Sequence, residues 1–180
     1  MSTGPDWADA LARAEAHSPF LARVLVRFPA VAGLLAQGDP DAAWRQAETE
    51  GAQAASVQQR LRFHRAGVAL VTAIADLAGA WSFEDVTGRL SDFADQALDI
   101  ALNAAFAERY PGEEPRGFAV LALGKHGSRE LNYSSDLDPI LLYDPQTLPH
   151  RANEEPVEAA VRIARRMTEL LSARDGDGYV

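Results

Sequence analysis

Two aspartates near the middle of this sequence have the types and spacing that metal-assisted chemistry requires. Asp136 and Asp138 flank Leu137 at the start of an apolar stretch. Side chains alternate between the two sides of an extended chain, so both carboxylates would lie on the same side. Carboxylate oxygens suit Mg²⁺ or Mn²⁺, which bind a few carboxylates and otherwise take substrate phosphates. The pair therefore predicts a catalytic metal site held by Asp136 and Asp138.

Small residues just before the aspartates predict a phosphate-binding turn at Gly127 and Ser128. We expect a short helix to begin there, because N–H groups at a helix start and a serine hydroxyl bind phosphate oxygens. Glycine at such a turn lets a phosphate approach the backbone. Lys125, the only lysine in the chain, could contact the same phosphate. Ser135 could bind a phosphate or only cap its local turn, and the sequence leaves both interpretations open.

The residues between the turn and the aspartates have supporting roles in this interpretation. Glu130 and Asn132 are expected to brace the loop. Arg129 could approach a nucleotide or only offset the charge of the aspartates. His126 could be considered as a base, but phosphoryl transfer assisted by metal ions needs little from one, so we favour packing or a surface position.

Composition narrows the class of protein. The chain has 180 residues, a formal net charge of −9 and a pI of about 4.9, so its surface repels phosphate backbones and no nucleic-acid partner is expected. Acidic residues interrupt the N-terminal stretch where a signal peptide would need a basic and then an apolar region. No apolar run reaches the roughly 18 to 20 residues that a membrane span needs. We therefore expect a soluble, cytoplasmic protein with no membrane partner.

The first part of the chain, residues 1–114, is predicted to be helical. Ser18-Pro19 and Asp39-Pro40 each place a capping residue before a proline at the first helical position. Apolar residues recur at helical spacing from Ser56 to Leu77. Ser82 and Asp85 form a capping box for a long helix that Tyr110-Pro111-Gly112 would end.

Residues 115–180 have a different pattern and are predicted to form a second, partial domain. Gly117 to Leu123 predicts a buried strand, and Leu137 to Tyr143 predicts a second one. A helix from about Glu155 to Ala173 would follow, with Val157, Val161 and Met167 on its apolar side. Tyr179-Val180 resembles the first step of a third strand. The predicted fold class is therefore α+β.

These motifs together resemble known families. Gly127-Ser128 followed by Asp136-x-Asp138 is similar to the signature of the nucleotidyltransferase superfamily, which includes DNA polymerase beta. More narrowly, Gly124-Lys125, Glu130-Leu131-Asn132 and Ser135-Asp136-x-Asp138 resemble the glutamine synthetase adenylyltransferase family. Three residues depart from the expected pattern: His126 and Pro139 replace aliphatic residues, and Ser128 replaces a second glycine.

The resemblance implies a polymerase-beta-like nucleotidyltransferase fold and, because the match begins near Met1, the N-terminal adenylyl-removing role. That role is phosphorolysis of an AMP-tyrosine bond on glutamine synthetase, which yields ADP. It implies Mg²⁺ or Mn²⁺ at Asp136 and Asp138, phosphate at Gly127 and Ser128, and as partners glutamine synthetase, the PII signalling protein, ATP or ADP, and phosphate.

The family's third metal-binding carboxylate follows a Gly-Tyr-Val-like strand, so the chain is expected to stop before its third core strand and to be inactive alone. Asp175 or Asp177 is a weaker candidate for the third carboxylate. Two alternatives stay open. One is another nucleotidyltransferase, such as a uridylyl-transferring or antibiotic-modifying enzyme. The other is a non-catalytic fragment that binds a partner or a nucleotide.

Overall fold

A computed structural model describes residues 4–172 and shows a mostly helical α+β protein, as predicted. In chain order the elements are α1 (Trp7–His17), α2 (Pro19–Arg27), α3 (Pro29–Ala36), α4 (Pro40–Ala52), α5 (Val57–Leu77), α6 (Phe83–Arg109), β1 (Phe118–Leu121), α7 (Gly124–Gly127), β2 (Ile140–Tyr143) and α8 (Pro156–Ser172). The expected third strand at Tyr179-Val180 and the candidates Asp175 and Asp177 lie outside the described residues.

The predicted helix starts are confirmed by their capping hydrogen bonds. The Ser18 hydroxyl accepts from the Leu21 N–H, and Asp39 accepts from the Ala42 N–H at 2.8 Å. The Ser82–Asp85 capping box is complete, since each side chain also accepts from the other residue's N–H. A cap satisfies N–H groups that the first helical turn leaves unpaired, so these residue types fix where each helix begins.

The apolar residues form two clusters that meet at α5 and α6. The first cluster joins α1 to α5 and includes Phe28, Val31, Leu35, Trp44 and Ile74. The second joins the C-terminal half of α6 to α8 and the strands, and includes Phe106, Leu148, Ile163, Met167 and Leu170. Leu61 of α5 belongs to the second cluster, so the helical segment and the strand region share a core. The boundary at residue 114 stays a prediction.

Helix α8 contacts α6 with a face that overlaps the predicted one only in part, since Met167 is buried as predicted but Val157 and Val161 are not. Ile163 and Met167 are buried, together with Ala159, Ala160 and Leu170, whereas Val157 and Val161 are 48% and 50% exposed. The facing positions of α6 include Ala97, Ala101 and Ala105. Alanine side chains let two helices approach closely, so the face of α8 that carries two alanines packs better here than the face that carries two valines.

The sheet has two antiparallel strands, with Phe118 opposite Tyr143 and Leu121 opposite Ile140. Phe118, Val120 and Leu141 face the second cluster. The predicted buried strands are wrong in one respect, because Leu121, Ile140 and Leu142 are 45% to 48% exposed. Helices cover one face of the sheet, and no described element covers the other. Both strands are also shorter than predicted. β2 begins only after Pro139, which has no N–H to donate.

The described helices do not resemble membrane spans. Over residues 4–172 no single helix is both long and apolar enough to cross a bilayer, and α2 and α3 meet that test only as a pair bent by 102°.

The close packing of α4 on α5 leads to the first prediction. A Cβ atom added to Gly67 would lie 2.7 Å from the Ala47 Cβ, whereas one added to Gly33 of α3 would meet no atom within 4 Å. Both substitutions to alanine gain about 1 kcal/mol of helix propensity. Gly33→Ala should therefore raise the free energy of unfolding, while Gly67→Ala should lose that gain to an overpacking cost of about 1–3 kcal/mol. Denaturant unfolding of both variants measures the difference, and equal stabilities would show that α4 and α5 are not in contact at Gly67.

A buried histidine in α5 predicts how stability depends on pH. His64 is 5% exposed, its ring packs edge-on against Phe93, and its Nε2 has no hydrogen-bond partner among the described residues. Burial lowers the pKa of His64 from its usual value of 6.5. As the pH falls through about 6.5, His64 binds a proton in the unfolded chain before it does so in the folded chain. The free energy of unfolding that neutral His64 contributes above that pH is therefore lost as the pH falls below it.

We therefore expect the free energy of unfolding to fall between about pH 7 and pH 5, and His64→Leu to reduce that fall. Thermal unfolding across this range measures it. His17→Gln, at an exposed position, is the matched control and should leave the pH dependence unchanged. An identical pH dependence in His64→Leu would contradict the assignment.

Candidate metal and phosphate site

The two aspartates lie in an extended segment just before β2. Asp136 and Asp138 are exposed, while Leu137 and Pro139 between and after them are partly buried. This alternation agrees with the expectation that both carboxylates lie on one side of the chain. The exposed side continues into β2 as Ile140 and Leu142, so the carboxylates adjoin the uncovered face of the sheet.

Neither carboxylate is neutralised by a neighbour. Within residues 4–172, Asp136 and Asp138 form no ion pair or hydrogen bond. Two unpaired negative charges at this spacing favour a bound cation. In the same described part of the chain no three potential metal ligands come together. A hard cation that keeps several waters and takes the rest of its ligands from phosphate oxygens, as Mg²⁺ does, fits such a two-carboxylate set.

The expected phosphate turn has a different backbone from the one predicted. The short helix α7 begins at Gly124 and ends at Gly127, instead of beginning at Gly127. Gly124 has a positive φ of 55°, and Arg129, just after the helix, has one of 61°. The N–H of Gly127 donates to the Leu123 carbonyl and that of Ser128 to the Gly124 carbonyl. These two N–H groups are therefore already used, and the Ser128 hydroxyl could bind a phosphate only by exchanging its present partner, Glu130.

Gly127 has a structural reason to be glycine. A Cβ atom at this position would lie 2.7 Å from the carbonyl oxygen of Ala122, which belongs to the backbone and cannot rotate away. The turn can therefore follow β1 only if residue 127 has no side chain. This requirement holds whether or not a phosphate binds.

The other predicted phosphate ligands differ in how available they are. The Ser128 hydroxyl lies 3.0 Å from a carboxylate oxygen of Glu130, to which it donates. Lys125 is exposed, and its side chain forms no hydrogen bond or ion pair within the described residues. Its ammonium group is therefore free to reach a phosphate, while Ser128 would have to exchange Glu130 for one.

Ser135 caps its own loop. Its hydroxyl donates to Oδ1 of Asn132 at 2.9 Å and accepts from the Asn132 N–H at 3.0 Å. The same Asn132 oxygen accepts from the Ser134 N–H. Both hydrogen-bonding functions of the hydroxyl are thus occupied, which favours the capping interpretation of Ser135 and confirms Asn132 as a brace just before the aspartates.

Helix α6 holds the turn through side chains that the sequence did not single out. The Nε2 atom of His126 lies 2.8 Å from Oδ1 of Asp95. Arg129 contacts Asp92 at 2.6 Å, Asp95 at 3.9 Å and the Gly88 carbonyl at 3.3 Å. The Asp92 carboxylate raises the pKa of the Arg129 guanidinium above its usual range. Arg129 therefore offsets these α6 carboxylates and not Asp136 or Asp138.

A further contact ties the loop to α5. The Tyr133 hydroxyl donates to Asp76 at 3.2 Å, and burial followed by the Asp76 charge raises the pKa of Tyr133 well above its usual range. The sequence contained a signal for the α6 contacts, since Gly88, Asp92 and Asp95 are spaced as one helix face. The pattern did not indicate which residues would contact that face, because His126 and Arg129 are more than 30 residues away along the chain.

A cavity of about 720 Å³ lies on the other side of the loop. Its walls come from α5, α6, the end of α8 and residues 131–137, with Leu137, Pro139 and Leu141 on the sheet side. Asp136 borders it and Asp138 does not. The aspartate segment therefore forms one wall of this largely apolar cavity.

Comparison with known proteins identifies the family. A profile described as glutamate-ammonia ligase adenylyltransferase matches residues 8–180. The chain belongs to this family. This confirms the resemblance seen in the sequence motifs.

Individual relatives agree. The bifunctional glutamine synthetase adenylyltransferase/adenylyl-removing enzymes of Caulobacter vibrioides, Bradyrhizobium diazoefficiens and Rhizobium meliloti are 38%, 36% and 34% identical to the chain, over 94%, 91% and 96% of it. The matches cover 19%, 18% and 20% of those relatives, so the chain spans about a fifth of their length.

The close approach of Gly127 to β1 leads to a prediction that separates its two interpretations. Gly127→Ala should lower the thermal stability of the chain with no phosphate or nucleotide present, because the new Cβ would meet the Ala122 carbonyl oxygen. Gly33→Ala serves as the control, since its Cβ meets nothing within 4 Å. If Gly127→Ala keeps normal stability and loses only phosphate affinity, the residue is glycine for the ligand and not for the fold.

Proposed function

We propose that this chain is the adenylyl-removing part of a glutamine synthetase adenylyltransferase. In that role it promotes metal-dependent phosphorolysis of AMP-tyrosine on glutamine synthetase and yields ADP. The observation that carries the proposal is the pair of carboxylates, Asp136 and Asp138, which share one exposed side of the chain and have no partner within residues 4–172. Family membership supports it, because the relatives are named as adenylyltransferase and adenylyl-removing enzymes.

Each residue has a defined task in the proposed reaction. Asp136 and Asp138 hold Mg²⁺ or Mn²⁺, whose charge would stabilise the developing charge on the phosphoryl oxygens. Ser128 donates its hydroxyl to a phosphate oxygen after leaving Glu130. Lys125 supplies a positive charge from its exposed position. The bond that forms joins inorganic phosphate to the phosphorus of AMP, and the bond that breaks releases the tyrosine oxygen.

The proposed partners follow from the same role. Glutamine synthetase is the substrate, phosphate attacks, and ADP leaves. ATP and the PII signalling protein are further partners that the resemblance implies. We place the protein in the cytoplasm, where glutamine synthetase would be met. The fold proposed for residues 115–180 is the polymerase-beta-like nucleotidyltransferase fold.

The test is ADP release from adenylylated glutamine synthetase with phosphate and Mg²⁺. We would assay the chain alone and a chimera in which the Caulobacter vibrioides relative continues it beyond Val180. Activity is expected in the chimera and should fall by at least about a hundredfold on Asp138→Asn, because loss of one metal ligand removes the charge that stabilises the transition state. Glu114→Gln, at an exposed position outside the site, is the matched control and should keep full activity.

Other outcomes point to the alternatives. A silent chimera beside unchanged adenylylated glutamine synthetase would reject the adenylyl-removing role. Transfer of UMP or AMP to another acceptor would then identify a different nucleotidyltransferase. Nucleotide binding that survives Asp138→Asn, with no turnover of any kind, would identify a non-catalytic binding fragment.

A further inference from the structure

We propose that His126 and Arg129 are positioning residues, and that their contacts with α6 set the place of the Ser128 turn relative to Asp136 and Asp138. We call these contacts the α6 anchor: His126 to Asp95, and Arg129 to Asp92 and the Gly88 carbonyl. The anchor itself is read from contacts in the structure. Its effect on ligand binding rests on the proposed function.

The His126 contact is a directed hydrogen bond inside the protein. The His126 side chain is 2% exposed, while that of Asp95 is 55% exposed. A carboxylate only accepts, so Nε2–H of His126 donates to it. The other ring nitrogen, Nδ1, is buried with no partner in the described part of the chain. The ring is therefore held by a single bond that points out of α7 toward α6.

An aliphatic residue would fill the same space more simply. A leucine at position 126 would leave no ring nitrogen unpaired. What histidine adds, and leucine lacks, is the bond to Asp95. That bond lies one residue before Gly127 and two before Ser128, so it fixes the part of the chain that would meet a phosphate.

Arg129 fixes the other end of the same turn. It has a φ of 61°, a conformation that non-glycine residues rarely adopt. Its side chain makes two contacts with α6, to the Asp92 carboxylate and the Gly88 carbonyl, and these contacts favour that backbone conformation. With Arg129 and His126 both tied to one face of α6, the residues between them have little freedom to move. Ser128 is the hydroxyl-bearing residue in that interval.

The anchor also explains why Asp92 and Asp95 do not compete for the proposed metal. Both carboxylates are paired with His126 and Arg129, whereas Asp136 and Asp138 have no partners among residues 4–172. The four aspartates are thus divided into a pair that holds the turn and a pair that is available to bind a cation.

The first experiment measures the anchor without any ligand. The first measurement is amide hydrogen exchange of residues 125–130 in the full 180-residue chain, which should accelerate about tenfold or more in His126→Leu. Local opening of this segment then costs less free energy, because there is no hydrogen bond to Asp95 to break. His126→Gln keeps a donor at the Nε2 position and should restore much of the protection. Asp95→Ala should accelerate exchange as His126→Leu does, and the double variant should be no worse than either single one. Asp99→Asn, an exposed α6 carboxylate outside the anchor, is the control and should change nothing.

The second experiment separates positioning from general structure. Mn²⁺ alone should bind His126→Leu as tightly as it binds the unmodified chain, since Asp136 and Asp138 are unchanged. ADP bound together with Mn²⁺ should weaken by about fivefold or more, and His126→Gln should restore it. If His126→Leu does not fold, Asp95→Ala provides the same comparison from an exposed position.

The outcomes are distinct. Unchanged exchange at residues 125–130 in both His126→Leu and Asp95→Ala would overturn the anchor. Parallel losses of Mn²⁺ and ADP affinity, or unchanged ADP affinity, would overturn positioning. If the unmodified chain binds neither Mn²⁺ nor ADP, the proposed function fails for this chain, and the exchange measurement still decides whether the anchor exists.

Discussion

Helix α6 packs against α8 through alanines, and the position of the candidate site depends on this contact. Ala97, Ala101 and Ala105 lie buried with Ala159 and Ala160 of α8. Small side chains bring the two backbones close, and β1 and β2 then cover the same cluster through Phe118, Val120 and Leu141. The inner face of the two strands thus packs on apolar surface that α6 and α8 supply.

The same helix carries a second face that serves the site directly. Gly88, Asp92 and Asp95 meet His126 and Arg129, so one helix both supports the sheet and holds the turn that follows β1. Tyr133 adds a contact with Asp76 of α5. The loop that leads to Asp136 is therefore braced from the helical part of the chain at several points, although Asp136 and Asp138 have no partner among residues 4–172.

The uncovered face of the sheet continues the carboxylate side. Ile140 and Leu142 follow Asp136 and Asp138 at alternate positions, and each is close to half exposed. Apolar side chains of this kind adjoin a polar catalytic pair in many ligand sites, where they bind the less polar part of a substrate. The chain spans about a fifth of its relatives' length, and the same segment, through Asp136 and Leu137, borders the cavity between α5, α6 and α8.

Much of the site and its helices was determined by the sequence itself. Ser18, Asp39 and Ser82 mark helix starts by local hydrogen bonds, and local bonds do not need the rest of the fold to form. The alternation at Asp136 and Asp138, and the motif that identifies the family, are equally local. Tertiary structure decided which face of α8 is buried, where α7 ends, and which partners His126 and Arg129 find. Those outcomes depend on residues far apart in the chain and on how closely alanines let helices approach, and no pattern within a single segment contains that information.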